Sequence, residues 1–171
     1  MDHAFGGALA LAYYAEPRGT VDVDVNVFVP FDEANDVVNG FTTLGFTPEQ
    51  PPDQWSPAAG VRLLPAQGTT PLDLFFSLDA SYDEIARRKR WFPFGTDRRP
   101  LPFLSAEDVV IFKLSFGRDK DWVDLRRLVA GVPTIDLVYI ERQVLGLRGP
   151  TMHPRLARLR AITRQAGEER R

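Results

Sequence analysis

The chain has 171 residues, a formal net charge of −2, no cysteine, and 44% hydrophobic against 26% charged residues. That balance suits one globular unit able to bury its own core, and it excludes thiolate chemistry, disulfides and cysteine-based metal sites. No apolar run approaches the ~20 residues of a membrane span. Residues 5–15 are apolar but follow Asp2 and His3 rather than a basic segment, which argues against a signal peptide. The expectation is a cytoplasmic protein with no membrane partner.

The small net charge hides a lopsided distribution. Residues 1–85 hold 13 acids and 2 bases, whereas residues 86–171 hold 10 acids and 19 bases. Such halves can complement one another across a fold, or hold a cation beside a phosphate. Only three lysines occur, Lys89, Lys113 and Lys120.

Gly6-Gly7 is followed by an apolar, Ala- and Leu-rich run to Ala15, which predicts a buried helix stopped by Pro17. Val21 to Val29 alternates strictly and predicts a strand, with valines on one face and Asp22, Asp24 and Asn26 on the other. Asp32 to Leu44 predicts a helix capped by Asp32 and ended by Gly45. Residues 48–60 read as a loop. Val61 to Pro65 and Leu72 to Leu78 read as facing strands across the turn at residues 68–71. Ser81 to Arg90 predicts a helix with four bases at its end, and Phe92 to Phe103, with three prolines, an irregular stretch with room for a short strand. Ser105 begins a capping box for a helix to Phe116, which Gly117 closes. Three more helices are predicted over Asp119–Val129, Asp136–Leu147 and His153–Ala166, followed by a frayed charged tail. The organisation is thus an α+β core over residues 1–104, with a small mixed sheet flanked by helices, and a helical segment over 105–171 packed on it.

The chemistry is concentrated in Gly6-Gly7, Asp22-Val-Asp24 and Asp73. Residues two apart on a strand share a side, so Asp22 and Asp24 are neighbours that repel unless a cation lies between them. Mg²⁺ or Mn²⁺ suits one or two carboxylates plus substrate phosphates. Asp73 lies in a second apolar strand and completes the site if that strand is adjacent. Gly6-Gly7 opens a helix and can present free N–H groups to phosphate. Together these point to phosphoryl chemistry on a nucleoside triphosphate, with Asp22, Asp24 and Asp73 as metal ligands and Asp73 as bridging ligand or base. Taken singly, each feature also has an ordinary structural reading: a turn for the glycines, a solvated face for the acids.

The order Gly6-Gly7, Asp22-x-Asp24, Asp73 resembles the polymerase-β-type nucleotidyltransferase superfamily. The wording of residues 5–11 and 17–24 is similar to its AbiEii-type toxin and minimal-nucleotidyltransferase branch. The stretch Lys113-Leu114 through Gly117-Arg118-Asp-Lys120-Asp121-Trp122-Val-Asp124-Leu125 adds to the resemblance, which covers residues 5–129. It implies a nucleotidyltransferase-type sheet, transfer of a nucleoside monophosphate from an NTP to an acceptor, and a possible cognate protein partner in a toxin–antitoxin or defence pair. It also implies phosphate contacts from Gly6, Gly7 and Lys113, with Arg18 meeting either phosphate or an acid. Thr20 shapes the turn before the strand, and Asp121 is a supporting acid. Family members usually carry a helix and a full strand before the glycines; here only Met1 to Phe5 precede them, and three explanations stand open: the true start lies upstream, a sheet edge is open, or another chain fills it. Asn26, His3 and His153 receive no role. Two alternatives stand beside the enzyme: a degenerate interaction module of the same fold, and nucleic-acid binding through Arg87, Arg88, Lys89 and Arg90 beside Trp91. The second is disfavoured, because bases at a helix C-terminus also suit the helix dipole.

Overall fold

A computed structural model describes residues 1–170. Seven strands form one mixed sheet: β1 (His3–Phe5), β2 (Val23–Pro30), β3 (Phe46–Pro48), β4 (Val61–Pro65), β5 (Leu72–Ser77), β6 (Arg90–Phe94) and β7 (Arg99–Phe103), in the order β3-β4-β5-β2-β1-β7-β6. The expected α+β class is what the chain adopts. The central pair β2–β5 is parallel, and β4 lies antiparallel to β5.

Alternation along β2 sorts its side chains between two cores. Val25 and Val27 pack with Leu63, Leu74 and Phe76 beneath Ala34 and Val38 of α2 (Ala34–Thr42). The opposite face of the sheet is covered by α1 (Gly7–Leu11) and by the helices that follow β7, in a larger core that includes Leu11, Phe103, Ile111 and Leu125. Those later helices are α4 (Ala106–Phe116), α5 (Asp119–Gly131), α6 (Leu137–Arg148) and α7 (His153–Glu169), while α3 (Tyr82–Arg88) lies between β5 and β6. Ser105 caps α4 as its sequence predicts, accepting the Asp108 N–H, and Gly117 ends it at φ 66°. Arg155 of α7 donates from Nη1 to the carbonyls of Leu114 and Ser115, which ties α7 to the open end of α4.

Several expectations need correction. The stretch before the glycines is not bare: His3–Phe5 is an interior strand, antiparallel to β2, and the β6–β7 hairpin extends the sheet beyond it. The residues expected to be irregular form that hairpin, with Pro93 facing Pro100 on its outer part, where missing N–H donors are tolerated. Helix α1 stops at Leu11 because the next turn tightens and docks its tyrosines: Tyr13 stacks on Phe92 at 4.4 Å, and the Tyr14 hydroxyl donates to the Leu104 carbonyl. Asp32 caps nothing; it sits in a 3₁₀ turn (Phe31–Glu33) that precedes α2. Residues 48–60 include a further 3₁₀ turn (Pro52–Gln54). The tail does not fray after Ala166, since α7 runs to Glu169 and Arg170 donates to the Val129 carbonyl.

The basic run splits as well. Arg88 pairs with Glu107 and lies over the Tyr139 ring, Lys89 pairs with Asp2, and Arg90 opens β6.

Candidate functional site

The face of the sheet beneath α4 carries a polar row built by strand register. Asp24 of β2 stands opposite Asp73 of β5, and Asp73 stands opposite Arg62 of β4. A cavity of about 340 Å³ opens over this row. Of the expected site residues, Gly7, Arg18, Thr20, Asp22, Asp24, Asp73, Lys113 and Asp121 all line it. Gly6 does not line it, and Asp22 stands just before β2 rather than within it.

The two glycines do more than make a turn. Gly7 has φ +52°, and a Cβ there would fall 1.7 Å from the Asp24 Oδ2. The Asp24 carboxylate therefore rests where any other residue would place its side chain, in a backbone conformation that already favours glycine. Gly6 gives its N–H to the Asp24 carbonyl at 2.9 Å. That bond corrects the expectation that both glycine amides face phosphate: the Gly6 donor is already used, leaving Gly7 and Ala8 as the backbone facing the cavity. Gly7→Ala is expected to push the Asp24 carboxylate out of place and to lower divalent-cation affinity at least tenfold, with a melting temperature several degrees lower; titration calorimetry with Mn²⁺ and a thermal melt measure the two effects.

Burial pushes the Asp24 carboxyl up to about 6, with the neighbouring charges of Asp22 and Asp73 adding to the rise and Lys113 and Arg118 opposing it. Burial also raises Asp73, against the pull of Arg62. Arg62 donates from Nη1 to both Asp73 oxygens, at 2.9 and 2.8 Å, and the Thr20 hydroxyl donates to Asp22 Oδ1 at 2.6 Å. Among the described residues, no three His, Asp or Glu side chains are placed to hold a metal ion as they stand. The expected three-acid cage is thus not preformed, because Asp73 is satisfied by a guanidinium. The donor set nevertheless fits a hard divalent cation: the Asp22 and Asp73 carboxylates crowd the half-buried Asp24, whose proton affinity is raised by burial and then by their charge, and Mg²⁺ needs only one or two carboxylates when phosphates supply the rest.

The cationic end of the cavity is fixed from α5. Asp124, 1% exposed, accepts from Arg18 Nε and Nη2, each at 2.9 Å, and from Lys113 Nζ at 2.6 Å. Burial alone would raise Asp124, but these hydrogen bonds outweigh it and hold the carboxyl below its usual range. Lys113 also stands 3.8 Å from Asp121, whose other neighbour is Arg118 at 2.8 Å. Arg18 therefore meets an acid rather than open solvent, and Asp121 buttresses Lys113 and Arg118.

Sequence reading missed Arg62 and the apolar wall formed by Trp55, Phe75, Phe112 and Phe116. A signal for Arg62 existed: the first 85 residues contain two bases, Arg18 and Arg62, and both face this cavity. The aromatic wall had no comparable mark, since its members read as ordinary core positions.

Fold and site together define an α+β protein with a carboxylate-lined cleft between a mixed sheet and a helical layer. No protein-family model matches the chain, and no curated protein matches it. Among solved structures it is similar to an antigenic nucleotidyltransferase-like protein from Paracoccidioides brasiliensis, with 15% identity over 92% of this chain and 83% of that one and a TM-score of 0.49. It is also similar to the antibiotic-resistance factor ANT(2'')-Ia in two structures. The solution structure gives 18% identity, 95% and 82% coverage and a TM-score of 0.46. The complex with adenylyl-2''-tobramycin gives 17% identity, 93% and 87% coverage and a TM-score of 0.47. Likeness at this level transfers no residue's role to this chain.

Proposed function

We propose that this chain is a divalent-metal-dependent nucleotidyltransferase of the polymerase-β-type fold, moving a nucleoside monophosphate from an NTP to an acceptor. The observation that carries the reading is the in-register pair Asp24 and Asp73 on parallel neighbouring strands, with Asp22 beside them, in one cavity with Gly7, Lys113 and Arg118.

Asp22 and Asp24 would hold Mg²⁺ or Mn²⁺, with Asp73 joining when Arg62 releases it. The metal, when bound, neutralises phosphate charge and lowers the pKa of an attacking hydroxyl. The chain's own groups do the rest. Gly7 and Ala8 offer backbone close to the phosphates, while Lys113 and Arg118 supply positive charge on the helical side. An acceptor hydroxyl attacks the α-phosphorus, the bond to pyrophosphate breaks, and the hydroxyl proton passes to Asp73, whose raised proton affinity suits a base. The apolar wall of Trp55, Phe75, Phe112 and Phe116 excludes water from one side of the cleft.

Titration calorimetry with the four ribonucleoside triphosphates and Mg²⁺ tests the reading. Binding of at least one, lost in Asp22→Ala, is the expected result. Absence of heat with all four defeats it. The Arg62 pair on Asp73 gives a second reading its one support: a catalytically degenerate module of the same fold that binds a partner protein, with the carboxylate neutralised for good.

A further inference from the structure

Asn26 lies in the middle of β2, two residues beyond Asp24 on the same face, and lines the cavity. It is 3% exposed, and its Oδ1 is enclosed with no hydrogen-bond partner. Buried amides are normally paired, so an unpaired one at the foot of a cleft is an exception that needs a reason. The local sequence makes the exception sharper. The flanking positions of β2 are Val25 and Val27, and a third β-branched apolar residue would suit the strand better. Gly6 lies beside the amide: a Cβ there would come 2.7 Å from Asn26 Nδ2. The Gly6-Gly7 pair thus makes room for two polar groups of one strand, the Asp24 carboxylate above Gly7 and the Asn26 amide above Gly6.

The chemistry of the missing partner follows from the amide. It offers one acceptor and two donor hydrogens. Only 3% of the residue is exposed at the cavity, so the complementary group must be small, and a hydroxyl both donates and accepts through a single atom. Position narrows the choice further. Residues i and i+2 of a strand lie about 6.6–6.8 Å apart. A nucleotide whose phosphates lie over Asp24 and Lys113, with its sugar toward the middle of β2, would set that sugar, joined directly to the α-phosphate, one such step along the cleft. We infer that Asn26 binds a ribose hydroxyl of the nucleotide and makes this site select ribonucleotides over deoxyribonucleotides. This inference rests on the nucleotidyltransferase reading, and it assigns a role to the one polar residue of β2 that the metal and the phosphates leave unused.

The test titrates the best-bound of the four ribonucleoside triphosphates, and its 2′-deoxy and 3′-deoxy forms, with Mg²⁺ into wild type and Asn26→Ala. Wild type is expected to bind the ribo form roughly tenfold more tightly than one of the deoxy forms, the size of one buried hydrogen bond. Asn26→Ala is expected to lose that preference by weakening the ribo form alone. A thermal melt of the ligand-free proteins accompanies it, with Asn26→Ala melting at or above wild type because no bond is lost. Equal wild-type affinity for all three nucleotides overturns the inference, as does a preference that survives in Asn26→Ala, or a lower melting temperature, which would mark the amide as structural. If wild type binds no triphosphate at all, the nucleotidyltransferase reading falls and takes this inference with it. Tight binding with no ribo preference removes only the inference.

Discussion

Asp24→Asn is expected to abolish metal-dependent nucleotidyl transfer, a loss of at least ~10³-fold, while raising the thermal stability of the metal-free protein at pH 7. The two effects share one origin. The Asp24 carboxyl is pushed up to about 6, first by burial and then by Asp22 and Asp73, above the ~3.9 of an unfolded aspartate. Between those values the folded state binds more protons than the unfolded state, so stability falls as pH rises from about 4 to about 6. Above pH 6 the full penalty stands, about 3 kcal/mol from a shift of roughly two pH units. The neutral amide removes that penalty and most of its pH dependence. Asp108 is also raised to about 6 by burial, against hydrogen bonds from Ser105 and Tyr139, and slopes in the same direction. The comparison is therefore the difference between wild type and Asp24→Asn, measured by thermal melts at pH 5 and pH 7.

A divalent cation should reverse the ranking. Bound at about 1,000 times its dissociation constant, it stabilises the wild type by about 4.1 kcal/mol through mass action, more than that penalty, and Asp24→Asn gains little. Melts with and without Mn²⁺ thus cross: the variant is the more stable protein without metal and the less responsive one with it. A variant that melts below wild type at pH 7 without metal would show that Asp24 is held by structural partners rather than left for a ligand.

How much of this was legible in the sequence depends on the range over which each feature is decided. The strand carrying Asp24, the facing strands across residues 68–71 and the Ser105 cap are local patterns of alternation and turn chemistry, and the structure has them within one or two residues. The β6–β7 hairpin was hidden because Pro93, Pro100 and Pro102 argue against a strand unless the pairing partner is known, and that partner is set by tertiary position. The length of α1 was decided by two tyrosines docking onto a hairpin some 80 residues away in sequence. In the site, the carboxylates could be named because acids inside apolar strands are conspicuous. Arg62 was hidden for the opposite reason, since a single arginine in a short strand looks like any exposed position until β4 is laid against β5. The sense of Gly6-Gly7 also needed the fold, because what the pair makes room for lies across β1 and β2 rather than in the adjoining helix.

Asp124→Ala is expected to be the most destabilising substitution at the site, at about 3–5 kcal/mol, because it strips the counter-charge from a buried lysine. Lys113 is 6% exposed and its nearest acid is Asp124; Asp121, at 3.8 Å, is already engaged by Arg118 through three hydrogen bonds, two from its guanidinium and one from its backbone N–H. Loss of Asp124 also frees Arg18, whose Nε and Nη2 it holds. A structural role and a binding role separate in the double variant Lys113→Met/Asp124→Leu. Replacing a buried ion pair by apolar groups of similar volume is often neutral or stabilising, so chemical denaturation should recover most of the loss seen in Asp124→Ala. Nucleotide affinity should not recover with it, because the double variant has lost Lys113, the one buried cation facing the cavity among the described residues. The expected result is a folded protein that still binds Mn²⁺ through Asp22 and Asp24 yet binds triphosphate at least tenfold more weakly. Should the repacked protein bind nucleotide as wild type does, Lys113 and Asp124 belong to the framework alone, and the positive charge for the phosphates must come from Arg118 and Lys120 at the rim.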